Sequence, residues 1–264
     1  MKLCMMSCMM NGYTPVQIAD AAITCGMTAV DWITTHDTAP ADLRMICEDR
    51  NLKIAAHTML KEKFLLHEPG FLDEFKYSLE DAWTMGAPVL MLPPFPRRPQ
   101  KSLEDDRKAW TDYYAQALPL AQKAGIMLTM ESTGYFNSPI ITAEEVLEVL
   151  HAVPGLKLTL DIGNMATAED ISEAYPKLHE YVVHFHLKDW KIYDSPRPDT
   201  TPKRCGKHYA DAMIGEGDLD LKSFWNTVDA KDRELYVNLE TKDFSGRMTA
   251  PESLRKVSDY LREW

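Results

Sequence analysis

Residues 182–190 read VVHFHLKDW, with two histidines two positions apart inside an apolar run that closes on Lys188 and Asp189. Side chains alternate across a β-strand, so Val183, Phe185 and Leu187 share one face while His184 and His186 share the other. Whether these histidines are packing residues or metal ligands decides the fold and the function together. Three other stretches keep the same period. In IMLTME (126–131) Ile126, Leu128 and Met130 oppose Met127, Thr129 and Glu131; in KLTLD (157–161) Leu158 and Leu160 oppose Thr159 and Asp161; in LYVNLE (235–240) Leu235, Val237 and Leu239 oppose Tyr236, Asn238 and Glu240. Each polar series ends on a metal-competent side chain: Glu131, Asp161, His186 and Glu240.

These stretches belong to a longer alternation. Apolar runs at 3–6, 29–33, 53–57, 89–93, 127–131, 157–161, 182–188 and 235–240 are separated by helical patterns, the order expected of βα units with a parallel sheet. Helix starts are legible between them. Thr14-Pro15-Val16-Gln17 combines an N-cap threonine, a first-turn proline and a capping-box glutamine, and Thr142 to Glu145 repeats the capping box. Leu221, Phe224, Trp225 and Val228, and then Leu254, Val257, Leu261 and Trp264, recur at helical spacing and predict faces packed on a sheet. Eight units in 264 residues match the size of a single (β/α)8 TIM barrel spanning 1–264. An open doubly wound sheet is the rival, but no GxGxxG turn follows the first strand. The segment 190–218, rich in proline and poor in helical pattern, follows the seventh strand and is expected to be an active-site loop.

Composition narrows the function. The chain carries 29 Lys and Arg against 40 Asp and Glu, a net charge of −11, which disfavours nucleic acid or an anionic membrane as partner. The five cysteines lack CxxC spacing and read as reduced thiols, so a cytoplasmic setting is expected. The opening MKLCMMSCMMNG is apolar for only ten residues, has no small-residue cleavage pattern and reads as a first strand. No apolar run approaches the ~20 residues of a membrane helix.

If the apolar face of each strand lies on the helices, the polar series points into the barrel, and four consecutive strands aim Glu131, Asp161, His186 and Glu240 at one place. Three carboxylates gathered there without a cation would repel one another and be costly to desolvate. A divalent ion with one imidazole removes that cost. The oxygen-rich set favours Mn²⁺ or Mg²⁺ and would also accept Co²⁺ or Zn²⁺. Thr159, His184 and Asn238, with Thr129, sit one position deeper and suit a supporting layer that orients the ligands.

With TMESTG, LTLDIGN, HFHLKD and VNLETKD in order, and GEGDLD ahead of the seventh helix, the chain resembles the xylose isomerase-like, or sugar phosphate isomerase/epimerase, superfamily of TIM barrels over essentially its whole length. The resemblance implies that Glu131, Asp161, His186 and Glu240 are the metal ligands. It also implies that Glu131 and Glu240 are the acid/base pair of an isomerase or epimerase acting on a small polyhydroxy carbonyl compound through an enediolate. Inosose dehydratase-like and keto-glycoside-cleaving members, which use the same site for β-elimination, are the alternative. Endonuclease IV-type members carry a second histidine three residues after the strand-six aspartate. Here that position is Asn164, which with the acidic charge argues against phosphodiester cleavage; ketose 3-epimerases also tend to carry a histidine there. A noncatalytic sugar-binding barrel would leave both glutamates idle. The expected partner is a sugar or keto-sugar, with a homo-oligomer as a further expectation. His57, Asn164, Lys188, Trp32 and Trp190 are the candidate substrate contacts, and Arg97, Arg98, Arg204 and Lys207 are the loop cations available to an anionic group.

Overall fold

The computed structural model describes residues 1–60 and 62–264. Eight parallel strands close into a barrel: β1 (Lys2–Met6), β2 (Ala29–Ile33), β3 (Lys53–Thr58), β4 (Val89–Leu92), β5 (Met127–Glu131), β6 (Lys157–Asp161), β7 (Val182–Leu187) and β11 (Tyr236–Leu239), with β11 pairing both β7 and β1. This is a (β/α)8 barrel. Strand β4 stops at Leu92 because Pro93 has no N–H for the ladder. Strand β11 ends one residue short of Glu240, whose amide nevertheless donates to the Leu187 carbonyl at 3.0 Å and stays in the barrel frame.

Ten helices are found among the described residues: α1 (Pro15–Thr24), α2 (Pro40–Glu48), α3 (Glu62–Leu65), α4 (Phe71–Met85), α5 (Leu103–Lys123), α6 (Ala143–Ala152), α7 (Ile162–Met165), α8 (Ile171–Leu178), α9 (Leu221–Thr227) and α10 (Ala250–Leu261). Capping boxes open α1 at Thr14/Gln17, α6 at Thr142/Glu145 and α10 at Thr249/Glu252, so the hydroxyl and the side chain three residues on satisfy amides that the first turn leaves free. Among the described residues, no helix is long and apolar enough to cross a membrane.

The main core lies between strands and helices. Leu128, Met130, Leu158, Leu160, Phe185, Leu187, Val237 and Leu239 are all buried there, and the Phe185 ring meets the edge of Trp225 on α9 at 5.6 Å. Cys4, Ala29 and Ala55 form a separate small cluster backed by Tyr236. The polar series of the same strands fills the barrel interior. The segment after β7, expected as an active-site loop, carries strands of its own. Residues 189–212 carry β8 (Asp189–Tyr193), β9 (Thr201–Pro202) and β10 (His208–Ala212), an antiparallel sheet in the order β8-β10-β9. Its prolines interrupt helical periodicity but permit short edge strands.

Candidate metal centre and cavity

Glu131 ends β5, Asp161 ends β6, His186 lies on β7 and Glu240 follows β11, and each offers a ligand atom within 4.8 Å of the other three. Their surroundings explain how the charges coexist. Asp161 caps α7 through Oδ1, which accepts the Asn164 amide at 2.7 Å, while the buried Oδ2 has no hydrogen-bond partner among the described residues. Burial, with Glu240 and Glu131 as like-charged neighbours, lifts its carboxyl well above the usual range. Burial also lifts Glu131, against the pull of His186, whose Nδ1 lies 2.7 Å from Oε1. Glu240 goes the other way. Burial alone would raise it, but the Lys188 ammonium, 2.7 Å from Oε1, holds it below its ordinary value. An uncompensated buried carboxylate oxygen amid two further carboxylates fits a divalent cation, with two glutamates, one aspartate and one imidazole as donors.

The layer beneath contains a residue that reading the sequence missed. Asp31, fully buried on β2, has Oδ2 at 3.6 Å from His186 Nε2. It accepts from Asn238 Nδ2 at 2.9 Å and from Thr58 Oγ1 at 3.3 Å. With Nδ1 turned to the ligand cluster and Nε2 toward a carboxylate, the imidazole is oriented as a ligating histidine requires. Burial works against charge on His186, yet Glu131 and Asp31 outweigh it and raise the ring well above an ordinary imidazole. His184 packs edge-on at 5.4 Å, and burial followed by repulsion from His186 lowers it to about 3, leaving it neutral. Thr159 shares a 2.9 Å hydrogen bond with Thr129 across β5 and β6.

Above the cluster a cavity of about 560 Å³ is lined by Glu131 and Glu240 but not by Asp161 or His186, which are recessed. Asn164, Lys188 and Trp190 also line it. Gly163, the glycine of LTLDIGN, permits this arrangement, since a Cβ there would sit 2.6 Å from the Lys188 carbonyl oxygen. The Trp190 indole donates to the Gly163 carbonyl at 2.9 Å and is fixed as a wall. Asp189 braces the segment from behind by accepting from the amides of Trp190, Gly215, Gly217 and Leu219.

Two candidate contacts lie elsewhere. Trp32 and His57 are buried, pair laterally on β2 and β3, and do not line the cavity. His57 was expected to end its strand facing inward, but β3 continues to Thr58, which lines the cavity. His57 instead sits 2.8 Å from the Trp32 carbonyl and feels the charge of Asp81 on α4. A one-residue difference in strand end reverses the face. On β2 the inward polar residue is accordingly Asp31, and Trp32 joins the helix-side core. The loop cations divide as well. Arg204 is held by both oxygens of Glu145 at 2.9 Å, whereas its neighbour Lys203, overlooked in the sequence, lines the cavity. Nothing short of the folded hairpin separates those two adjacent basic residues.

Solved structures share this architecture. IolI, solved with a zinc atom bound, is 18% identical and superposes with a TM-score of 0.79 over 100% of this chain and 97% of its own. The 3-keto-D-glucoside 4-epimerase YcjR of E. coli is 15% identical, with a TM-score of 0.76 over 100% of both chains. D-psicose 3-epimerase, solved in the presence of D-fructose, is 15% identical, with a TM-score of 0.77 over 100% of this chain and 99% of its own. At the level of sequence, no curated protein matches significantly. The profile of one family does match, over residues 18–264, and with the closed barrel it establishes that the chain belongs to the xylose isomerase-like TIM barrel family.

Proposed function

We propose that the chain is a divalent-metal-dependent isomerase or epimerase of a small polyhydroxy carbonyl compound, working by proton transfer through an enediolate. The observation that carries this reading is the division of the cluster: Glu131 and Glu240 line the cavity while Asp161 and His186 are recessed. Two carboxylates facing the ligand supply the acceptor and the donor that a proton transfer needs. A cation held by Glu131, Asp161, His186 and Glu240 would supply Lewis-acid polarisation of a substrate carbonyl when bound. The remaining roles fall to this chain's own residues. Lys188 Nζ, donating to Glu240 Oε1, keeps that carboxylate ionised and able to accept a proton from the carbon beside the carbonyl. Glu131 enters from β5, three strands away around the barrel, and lines the same cavity, where it can return the proton. Return of the proton to the opposite face gives the epimer, and return to the neighbouring carbon gives the aldose or ketose. Trp190 and Tyr135 line the cavity as apolar walls for the carbon skeleton. The two epimerases with this fold support the reading, since both are named for inversion on a keto sugar or ketose.

The test is solvent isotope exchange. The Mn²⁺-loaded chain is incubated in deuterated water with a panel of ketoses and inososes. Deuterium uptake with mass otherwise retained is the expected result, and Glu131→Gln and Glu240→Gln should each abolish it. Loss of water or of an aglycone would instead assign β-elimination on the same site. Turnover left intact in both glutamine variants would refute the acid/base assignment.

A further inference from the structure

We propose that Lys203 is an anion-binding residue of the cavity, so that the compound processed there carries a carboxylate or phosphate in addition to its carbonyl. This rests on the reading of the cavity as a substrate site. Lys203 follows β9, is 6% exposed and lines the cavity, yet among the described residues no carboxylate lies within 4.0 Å of its ammonium. Its hydrogen bond goes to a neutral acceptor, the Gly134 carbonyl, at 2.5 Å. The Trp190 ring centroid is 4.5 Å away, and Lys188 stands 4.6 Å from the same ring. The two lysines are nevertheless not equivalent. Lys188 has Glu240 at 2.7 Å and Asp211 at 3.8 Å. The other acids at the cavity wall, Asp199 and Asp211, are exposed and screened by solvent.

A buried ammonium touched only by a carbonyl and an aromatic face carries a desolvation cost with no counter-charge in contact. Burial is accordingly the main cause that pulls Lys203 down to about 8, with Lys188 adding repulsion. The backbone that carries this side chain is pinned. Its amide donates to the Lys207 carbonyl at 2.9 Å, the Cys205 amide donates to Thr167, and Arg204 grips Glu145 at the start of α6. The hairpin therefore anchors the lysine at the wall of a cavity that Glu131 and Glu240 also line. A substrate anion supplies the missing counter-charge, and a charge-assisted hydrogen bond in such a place is strong. Purely neutral sugars would leave the ammonium uncompensated.

The experiment is a binding measurement on the full Mn²⁺-loaded chain by calorimetry, using D-fructose, D-fructuronate and D-fructose 6-phosphate, which differ only at the last carbon. Wild type is expected to bind one of the two anions roughly tenfold or more tightly than fructose, the preferred anion distinguishing carboxylate from phosphate. Lys203→Met should bring that ratio to about one, while Lys203→Arg, which keeps the charge, should preserve it. Absence of an anion preference in wild type overturns the proposal. So does a Lys203→Met protein, folded by circular dichroism, whose affinities fall equally for all three probes, because that is the behaviour of a residue that only tethers Gly134. Since the readout is binding, it separates from turnover: a chain that prefers the anion through Lys203 but exchanges no deuterium fails the isomerase reading and keeps this one.

Discussion

Asp161→Asn should stabilise the metal-free protein and abolish its response to metal, two effects of opposite sign from one atom exchange. Asp161 is fully buried, and its ligand atom lies within 4.8 Å of those of Glu131 and Glu240, a separation at which two unit charges repel by about 3.5 kcal/mol at an effective dielectric of ~20. Proton uptake by the metal-free cluster already relieves part of this, in line with the raised Asp161 and Glu131 carboxyls. A net gain on the order of 1–2 kcal/mol remains, which for a chain of this size lifts the melting temperature by roughly 2–8 °C. Asparagine keeps the Oδ1 acceptor that caps α7, so no helix-end loss offsets the gain. Metal binding acts in the other direction. At about 100 times its dissociation constant a ligand stabilises the native state by about 2.7 kcal/mol, roughly 5–10 °C here. The assay is thermal melting followed by circular dichroism, first in chelator and then across a Mn²⁺ titration. Wild type should show the metal shift, and Asp161→Asn should start higher and stay flat. A variant that melts below wild type in chelator and still responds to Mn²⁺ would refute the charge-crowding argument.

Asp31→Asn should weaken metal affinity roughly 10- to 100-fold by loosening the hold on His186, measured by competition with a chelator; unchanged affinity would deny Asp31 its orienting role. Affinity for the anionic substrate should fall as pH rises above about 8, where Lys203 loses its charge, and should level off just below it. The groups acting on that ammonium besides burial are Lys188, which lowers it, and Asp211, Asp161 and Cys205, which raise it, so Lys203→Arg should remove the fall. Glu145→Ala removes the α6 capping partner and leaves Arg107 and Arg204 without their shared carboxylate, which should lower stability by about 2–4 kcal/mol in urea titration; a loss below about 1 kcal/mol would show that those pairs contribute little.

The meeting of the four candidate residues was legible because they obey a local rule. Strand alternation is a property of the backbone, so the phase of Glu131, Asp161, His186 and Glu240 can be counted along the chain, and apolar partners such as Phe185 confirm which face meets a helix. The capping boxes of α1 and α6 were legible for the same reason, since donor and acceptor lie three residues apart. His57 failed by the same rule, because the count depended on a strand end that lay one residue further on.

By itself, then, the sequence determined the eightfold βα order, the phase of its polar series and the four groups able to meet at the carboxyl ends of the strands. Tertiary structure alone decided which other polar groups join them. Asp31 reaches His186 from a strand more than 150 residues away in the chain, through contacts with Asn238 and Thr58 that no local period encodes. Lys203 and Arg204 are adjacent in sequence and equal in charge, yet one faces the cavity and the other an acid on α6. The physical reason is that desolvation and charge pairing depend on separation in space, which exists only once the barrel has closed.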